Sequence, residues 1–301
     1  MKNVRRPGEA YRVAGSRDAG DPFCEVRVST FTREQPSAEM SFLKLREHWS
    51  ARTGTTEELG RGCLAISSLD SLDGRSFLVA GTLSGVLRVY CPQAAEFRVD
   101  DLMLEENLEL PILQLATGPF LSEGKVTALA VLHPRKLVVH TISGAQSATD
   151  EKAASYLTLH KAYEHALERP AYNMVHGAFG GAFGREMLCV QSVDGMLCVV
   201  EQERVTLRRQ MASALLPGPL VYSPKSDCFV TYTSEMRMEC YKYSTLATQP
   251  SAADSGSKKL TADWSVVVGE QAVEVIVSRL SKALASSQAS PPRRNLRVAH
   301  E

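Results

Sequence analysis

The fold is decided by residues 171–203, AYNMVHGAFGGAFGREMLCVQSVDGMLCVVEQE, in which three short apolar runs are separated by tight breaks. The runs are residues 172–175, 187–190 and 196–200. Asp194 and Gly195 separate the last two, and an Asp-Gly pair between apolar runs is typical of a β-hairpin, because both turn residues tolerate positive φ. We predict three antiparallel strands of one small sheet, with residues 205–209 as a more polar fourth strand at its edge.

The same arrangement recurs along the chain and predicts four similar units. The third strand of each unit begins near Val86, Lys136, Met196 and Met238, so these strands are 50, 60 and 42 residues apart. Periods of ~40–50 residues with four strands each are typical of a β-propeller. We therefore predict an all-β fold, a propeller of about four four-stranded blades. A β-sandwich with regularly spaced strands is the structural alternative.

Short apolar or alternating runs bounded by turns supply the strands of the other three units. In the first unit they are residues 63–66, 77–80, 86–90 and 101–110. In the second they are residues 112–115, 126–132, 137–142 and 156–160, with a helix over 156–167 as the alternative for the last. In the fourth they are residues 220–222, 228–231, 238–243 and 264–268.

The two ends of the chain differ from the repeat region, residues 40–277, in composition. Residues 1–39 are polar and mixed in charge, which predicts a disordered extension; a mitochondrial transit peptide is the alternative, against which the interleaved acids speak. Residues 273–277 begin a fifth unit, and residues 278–301, rich in Ser, Ala, Pro and Arg, predict a disordered tail. The ring is therefore expected to be incomplete, with apolar faces exposed at its two terminal blades. We expect the isolated chain to be unstable or to depend on partners.

Composition excludes several classes of protein. The 301 residues carry 34 basic and 34 acidic side chains, a balance that gives no general attraction to nucleic acid. Seven cysteines without C-x-x-C spacing argue against a zinc module or a disulfide framework and fit a reducing compartment. No apolar run is long enough for a transmembrane helix, and the N-terminus lacks the apolar region of a secretory signal.

No motif assigns a catalytic, cofactor-binding or metal-binding residue. The glycine-rich segment 177–184 lacks the Lys-Ser/Thr of a phosphate loop and does not fit G-x-G-x-x-G, so we interpret it as a loop between strands. No G-x-S-x-G sequence is present to position a hydrolase nucleophile. The histidines do not have the spacing of metal ligands; those considered are His133, His140, His160, His165 and His176.

Three further groups of residues are interpreted as structural. The acids Glu105, Glu106 and Glu109 are expected to lie on a solvated outer strand. The basic pairs Arg135-Lys136 and Arg208-Arg209 are expected to be solvated instead of forming a phosphate site. Four tyrosines are expected in the core and at the edges of a blade, with an aromatic binding patch as the alternative: Tyr222, Tyr232, Tyr241 and Tyr243.

Several longer runs resemble one known family. They are MSFLKLREHWS from Met40, VAGTLSGVLRVYCP, LAVLHPRKLVVHTISG, YEHALERPAYNMVHGAFGG, GREMLCVQSVDGMLCVVEQE, LLPGPLVYSP and DWSVVVGEQAVEV. In this order they resemble the parathyroid-hormone-responsive propeller subunit of the BBSome, Bardet-Biedl syndrome protein nine. The resemblance covers roughly residues 40–277, nearly all of the repeat region.

The resemblance implies a function as well as a fold. Members of that family carry an N-terminal propeller, whose blades continue beyond the position that corresponds to residue 277, and then adaptin-appendage-like and helical regions. They act as a non-enzymatic scaffold without cofactors in an octameric coat. The coat moves membrane proteins in and out of cilia in association with a small Arf-like GTPase. The implied partners are the other coat subunits and, indirectly, that GTPase and ciliary membrane cargo; the implied location is the cytoplasm and the cilium, at the ciliary membrane and the basal body. A ligand-binding or enzymatic propeller that uses its central channel is the alternative.

Overall fold

Most of the chain is defined in a computed structural model, which describes residues 10–16, 25–33, 43–54, 57–68, 75–94, 96–121, 126–144, 157–211, 219–248, 260–277 and 296–299. The chain divides into two compact units. The first contains residues 1–117 and 125–162, and the second contains residues 118–124 and 163–301.

The described strands form six antiparallel sheets, in which strands that are consecutive in the chain are neighbours. The first sheet has three strands, β1 (Ala10–Ser16), β2 (Glu25–Arg33) and β3 (Leu43–Arg52). The first four-stranded sheet has β4 (Leu64–Ser68), β5 (Ser76–Gly81), β6 (Val86–Tyr90) and β7 (Leu102–Asn107). The second has β8 (Gln114–Gly118), β9 (Ala128–His133), β10 (Lys136–Gly144) and β11 (Leu157–Ala166).

Two more four-stranded sheets follow in the second half of the chain. The third has β12 (Ala171–Gly177), β13 (Met187–Ser192), β14 (Met196–Glu201) and β15 (Arg204–Gln210). The fourth has β16 (Leu220–Ser223), β17 (Cys228–Tyr232), β18 (Arg237–Lys242) and β19 (Trp264–Val267), with the short helix α1 (Tyr243–Thr248) after β18. The last sheet pairs β20 (Glu274–Val277) with β21 (Leu296–Ala299).

These sheets confirm the prediction of about four four-stranded blades followed by the start of a fifth. Six separate sheets also exclude a sandwich, which has two. Residues 171–203 form the predicted hairpin, and residues 205–209 lie within the predicted edge strand β15. The helical alternative for residues 156–167 is wrong, because β11 is a strand over its whole length. Helix α1 was not predicted: the apolar pattern of β18 continues to Tyr243 and hides the point where the strand ends.

The two terminal segments differ from the disordered extension and tail that composition predicts. Within residues 1–39, β1 and β2 pair with each other, and β2 also pairs with β3. The alternation of Val26 and Val28 with charged neighbours is a strand pattern. The polar composition of residues 1–39 as a whole favoured disorder and concealed this short pattern. Within residues 278–301, β21 pairs with β20. The rest of both segments lies outside the described residues. So do residues 70–74, where a second Asp-Gly pair predicts a turn between the strands at 63–66 and 77–80.

In the first of the two compact units, the first blade is covered by apolar residues on both faces. On one face, Trp49 and Ala51 of β3 pack against a cluster that contains Leu78, Ala80 and Tyr90. On the other face, alternate residues such as Phe77 and Val79 pack against the second blade through Ile112, Leu115, Leu129 and Val131. Successive residues of β5 therefore serve opposite faces, as the two-residue period of a strand requires. Trp49 is fully buried, and truncation of such a side chain typically costs about 3–5 kcal/mol.

In the second unit, the fourth blade also has two covered faces. One faces the third blade, where Phe229 and Tyr241 lie in a cluster with Cys189 and Val199. The other contains Val230 and Met238, against which Ala272 and Val275 pack. Val275 lies in β20, so the start of the fifth blade covers part of the outer face of the fourth blade, which the sequence predicts to be exposed. The predicted instability of the isolated chain stays a prediction.

One tight turn joins the second and third strands in three of the four blades. Its fourth residue donates its backbone N–H to the first residue's carbonyl, from Gly85 to Thr82, from Gly195 to Ser192 and from Met236 to Thr233, at 2.9–3.1 Å. The fourth residue is left-handed in all three turns, with φ of 93°, 81° and 57°. Its carbonyl then accepts an N–H from the residue after the outer strand: Leu108, Met211 or Val268. The turn thus fixes the end of each outer strand.

Met236 occupies a position where the sister turns have glycine, and the left-handed conformation costs an L-residue about 1–2 kcal/mol. We expect Met236→Gly to raise the free energy of unfolding by about 0.5–1 kcal/mol. The strain energy that glycine relieves in the folded state exceeds the entropic cost of folding a more flexible unfolded chain. Thermal and denaturant unfolding followed by circular dichroism measure the change.

Two matched variants control this experiment. Met236→Ala removes the long side chain but keeps the strain, so it should give no gain. Gly85→Ala should lower the stability, since a Cβ there would lie 2.8 Å from the carbonyl oxygen of Leu110. Equal stability of Met236→Gly and Met236→Ala would contradict the strain argument.

Candidate interaction surface

The histidines considered from the sequence lie in separate surroundings. His133 Nδ1 is 2.9 Å from the Pro111 carbonyl oxygen, and His165 Nε2 is 2.5 Å from that of Gln202. Over the part of the chain that the structure describes, no three His, Cys, Asp or Glu side chains are placed to hold a metal ion.

An exposed hydroxyl cluster surrounds His160 on the outer strands of the second blade. His160 Nε2 is 3.1 Å from both Ser143 Oγ and Thr158 Oγ1, and the two hydroxyl oxygens are 2.9 Å apart. One ring nitrogen is shared by two hydroxyls in contact with solvent. This arrangement gives no activated nucleophile, which needs a directed base in a shielded site.

His140 is the most strongly perturbed histidine. Its side chain is buried on β10, and its Nδ1 has no hydrogen-bond partner. Burial lowers its pKa to about 4 from the ordinary 6.5, and the nearby charges of His133 and Lys161 act in the same direction. Protonation of such a group disfavours the folded state, because the charged form is poorly solvated there.

This shift predicts an acid sensitivity of the fold. The unfolded chain binds a proton on His140 near pH 6.5, whereas the folded chain does so only near pH 4. Stability should therefore be complete above pH 6.5 and fall progressively between these values. His140→Leu removes the proton-binding site, so its melting temperature should fall less steeply than that of the unsubstituted chain over this interval. Parallel melting curves for the two proteins would refute the assignment.

The glycine-rich segment is a loop, as predicted, and its base is held by an aromatic cluster. Phe179 is buried and packs edge-on against Tyr222 at 4.6 Å between ring centroids, and against Phe229 at 4.8 Å. Gly177 permits the close approach of Tyr222, whose ring carbon would lie 2.5 Å from a Cβ at that position. The cluster fills the space at the base of the loop with aromatic rings, so the loop provides no phosphate cradle there.

The acids of β7 have different surroundings. Glu105 and Glu106 of β7 are exposed, as expected of a solvated strand, and Glu109, which is also exposed, lies beyond the end of the strand at Asn107. Glu105 also accepts a hydrogen bond from Arg88 Nε at 2.6 Å, while the two Nη atoms of Arg88 bind Glu57 at 2.5 and 2.9 Å. This contact holds the pKa of Glu57 below its ordinary range. Arg88 and its two carboxylates therefore fix the outer half of the first blade and leave no free charge for a ligand.

One residue of the basic pairs, Arg209, differs from the solvated interpretation. Arg208 pairs with Glu168 at 3.2 Å at the surface. Arg209 is buried, and its Nε and Nη2 donate to the Leu246 carbonyl oxygen at 3.0 and 2.6 Å near the end of α1. The prediction of a solvated pair is therefore wrong for Arg209, because alternation along β15 turns neighbouring residues to opposite faces. Arg135 is exposed, as predicted, and Lys136, the first residue of β10, is half-buried.

Three of the four tyrosines are core residues, as the blade interpretation predicts. Tyr222, Tyr232 and Tyr241 are buried, and Tyr243 is half-buried. Burial raises the pKa of Tyr222 and of Tyr241, and a carboxylate hydrogen bond to each hydroxyl acts in the same direction. These rings fill space between strands, so they form no exposed aromatic patch.

A small pocket lies on the third blade beneath the segment that enters it. It is lined by Cys198 and by apolar residues such as Val190 and Met196, together with the polar side chains of His165, Glu168, Arg169, Ser192 and Arg208. The cavity volume is about 30 Å³, enough for a water molecule or two. Burial raises the pKa of the Cys198 thiol, which makes it a weaker nucleophile at neutral pH. The pocket therefore suits packing and hydration better than catalysis.

Exposed apolar side chains are the remaining surface feature, and two of them, a loop phenylalanine and an outer strand, were not identified from the sequence. Phe183, at the tip of the glycine-rich loop, is 100% exposed. All four residues of β19 are exposed, among them Trp264, Val266 and Val267. The signals were present: one aromatic residue between glycines in GGAFGR, and an outer strand, WSVV, without a charged residue. Such patches mark interaction surfaces more often than catalytic sites.

No described helix is long and apolar enough to cross a membrane.

Comparison with known proteins places the chain in a family. The family model PTHB1 N-terminal matches residues 40–290. The chain is 40% identical over 252 residues to protein PTHB1 of Xenopus laevis, covering 79% of the chain and 29% of that relative. It is 38% identical over 262 residues to protein PTHB1 of Homo sapiens, covering 82% of the chain and 29% of the relative. The chain thus spans 29% of the length of these curated relatives.

Solved structures support the fold. A chain in the structure of an active polycomb repressive complex 2 in the basal state superposes with a TM-score of 0.57 at 10% identity. The superposition covers 93% of this chain and 64% of that one. A likeness at this identity concerns the fold alone.

Proposed function

The chain belongs to the PTHB1 N-terminal family, and from this premise we propose that it is a non-enzymatic scaffold, the propeller part of a BBSome coat subunit. In this proposal its partners are the other coat subunits and, indirectly, an Arf-like GTPase and membrane cargo of cilia. It acts in cilium assembly and in the transport of membrane proteins to and from cilia, in the cytoplasm and at the ciliary membrane and basal body. The observation that carries the proposal is the family match over residues 40–290.

The surface of the described residues supports a role in binding other proteins. The residues with the chemistry of a site, such as His176, Arg88 and Arg209, contact neighbouring groups of the chain itself. The exposed apolar side chains instead face solvent, where another protein could cover them. An enzyme would show the opposite arrangement, with shielded polar groups around a cavity.

The alternative, an enzymatic or ligand-binding channel, finds little support in the strands that would line it. In a propeller the first strand of each blade lies nearest the axis. The first strands here are β4, β8, β12 and β16, and together they contain one histidine, His176, and no carboxylate. His176 Nδ1 is 2.5 Å from Glu186 Oε2, at the surface. A channel with so few ionisable groups offers little for acid–base or metal chemistry.

A chimera tests the proposed function. Residues 40–277 of this chain replace the corresponding segment of full-length Xenopus laevis PTHB1, and the product is expressed in ciliated cells that lack their own PTHB1. We expect the chimera to co-purify with the other coat subunits and to restore the delivery of a membrane cargo to cilia, because the propeller supplies the subunit's contacts.

The matched control replaces the same segment by an unrelated propeller of similar length, such as the one that superposes from polycomb repressive complex 2. This control should be expressed but should not join the coat. If the chimera with our chain is folded and yet recovers no coat subunit, the scaffold proposal is wrong.

A further inference from the structure

The loop that joins β12 to β13 presents one aromatic side chain to solvent. Phe183 is 100% exposed, the largest exposed fraction of any large apolar side chain among the described residues. A phenylalanine ring in this position gains nothing from folding, since its apolar surface stays in water. The side chain therefore does not serve the stability of the isolated fold.

The ascending side of the loop, residues 178–180, is fixed by contacts of the residues before and after Phe179. The Tyr222 hydroxyl donates to Asp227 Oδ1 at 2.8 Å, and its oxygen also lies 3.2 Å from the Ala178 carbonyl oxygen. The backbone N–H of Gly180 donates to the same Asp227 oxygen at 2.9 Å. With Phe179 buried between the aromatic rings, this side of the loop has a defined position.

The descending side of the loop, residues 185–186, is fixed by one ion pair and by one contact between a histidine and a carboxylate. Arg185 Nη2 is 2.5 Å from Glu201 Oε1, and Glu186 Oε2 is 2.5 Å from His176 Nδ1. The backbone N–H of Glu186 also donates to the Pro119 carbonyl oxygen at 3.0 Å. Both ends of the loop are thus attached to the blade, and Phe183 projects from a short segment between them.

The glycines on each side of the tip keep the space around Phe183 open. Gly181 and Gly184 are left-handed, with φ of 76° and 74°, a conformation that favours glycine. A Cβ at either position would have no other atom within 4 Å. Open space and absent side chains leave the ring accessible from several directions, so that it can enter a concavity on another molecule.

The surroundings of the ring favour a protein over a lipid surface. The four polar side chains at the descending base, Arg185, Glu201, His176 and Glu186, include two carboxylates and at most two cations. A base of this composition has no excess positive charge to attract anionic headgroups. A central aromatic ring surrounded by polar, partly exposed groups is the usual anatomy of a protein–protein contact.

We propose that Phe183 is a preformed anchor that inserts into an apolar pocket of another protein subunit, with the four polar side chains at the loop base forming the polar rim of that contact. The proposal rests on the proposed scaffold function, in which the partner is another subunit of the coat. Because the loop is held in place before binding, little conformational freedom is lost when the ring enters the pocket.

The test uses the chimera described above, co-expressed with the other coat subunits. Phe183→Ser removes the ring, Phe183→Trp keeps an aromatic anchor, and Val99→Ser removes a different exposed apolar side chain, 80% exposed on the first unit. We expect Phe183→Ser to lower the recovery of at least one subunit about tenfold or more, as loss of a central aromatic anchor does. Phe183→Trp and Val99→Ser should retain recovery, and all three melting temperatures should match that of the unsubstituted chimera.

The outcomes separate the two proposals. If the unsubstituted chimera recovers the coat and Phe183→Ser does so equally well, the anchor proposal is wrong and the scaffold proposal stands. If the unsubstituted chimera recovers no subunit, both are wrong. Sedimentation with phosphatidylcholine–phosphatidylserine vesicles is measured in parallel, and binding that is lost in Phe183→Ser would assign the ring to a membrane and overturn the protein contact.

Discussion

Every blade has two apolar faces, and this constraint governs the rest of the structure. Strand alternation sends Phe77 to one face of the first blade and Leu78 to the other, so one neighbour cannot cover both. The chain meets the requirement locally, with Trp49 of β3 on one side and the second blade on the other. In the fourth blade, Val275 has the corresponding role. Segments outside the four predicted blades therefore contribute to the core.

Buried polar contacts make this covering specific. Asp101 is fully buried and accepts hydrogen bonds from Trp49 Nε1 at 3.1 Å and from the backbone N–H of Arg98 at 3.0 Å. Hydrophobic packing would tolerate a shifted or rotated Trp49, whereas a buried carboxylate that loses its donors is costly. The contact between Trp49 and Asp101 thus sets one position for β3 on the first blade, beyond what apolar burial requires.

The sequence predicts the repeated elements better than the exceptions. Hairpins with Asp194-Gly195 or Ser84-Gly85 follow from turn chemistry, and the blades were predicted with errors of a few residues at their ends. The burial of Arg209 and the pairing of Arg88 could not be predicted, because both depend on which residues meet across strands far apart in the chain. Met236 hid the third copy of the shared turn, since a methionine gives no turn signal. Phe183 was overlooked because a loop assignment does not consider what the loop displays.

The outermost strands of the four blades differ in the side chains that they expose to water. Strands β7, β11 and β15 expose charged residues, for example Glu106, Glu164 and Arg204, and charges of this kind oppose the addition of a further strand. Strand β19 carries none, and within the described part of the chain no strand pairs with its outer edge. Such an edge is a template for a foreign β-segment, so we expect it to favour sheet growth between molecules at high protein concentration, and we expect Val266→Lys to act as a gatekeeper against it.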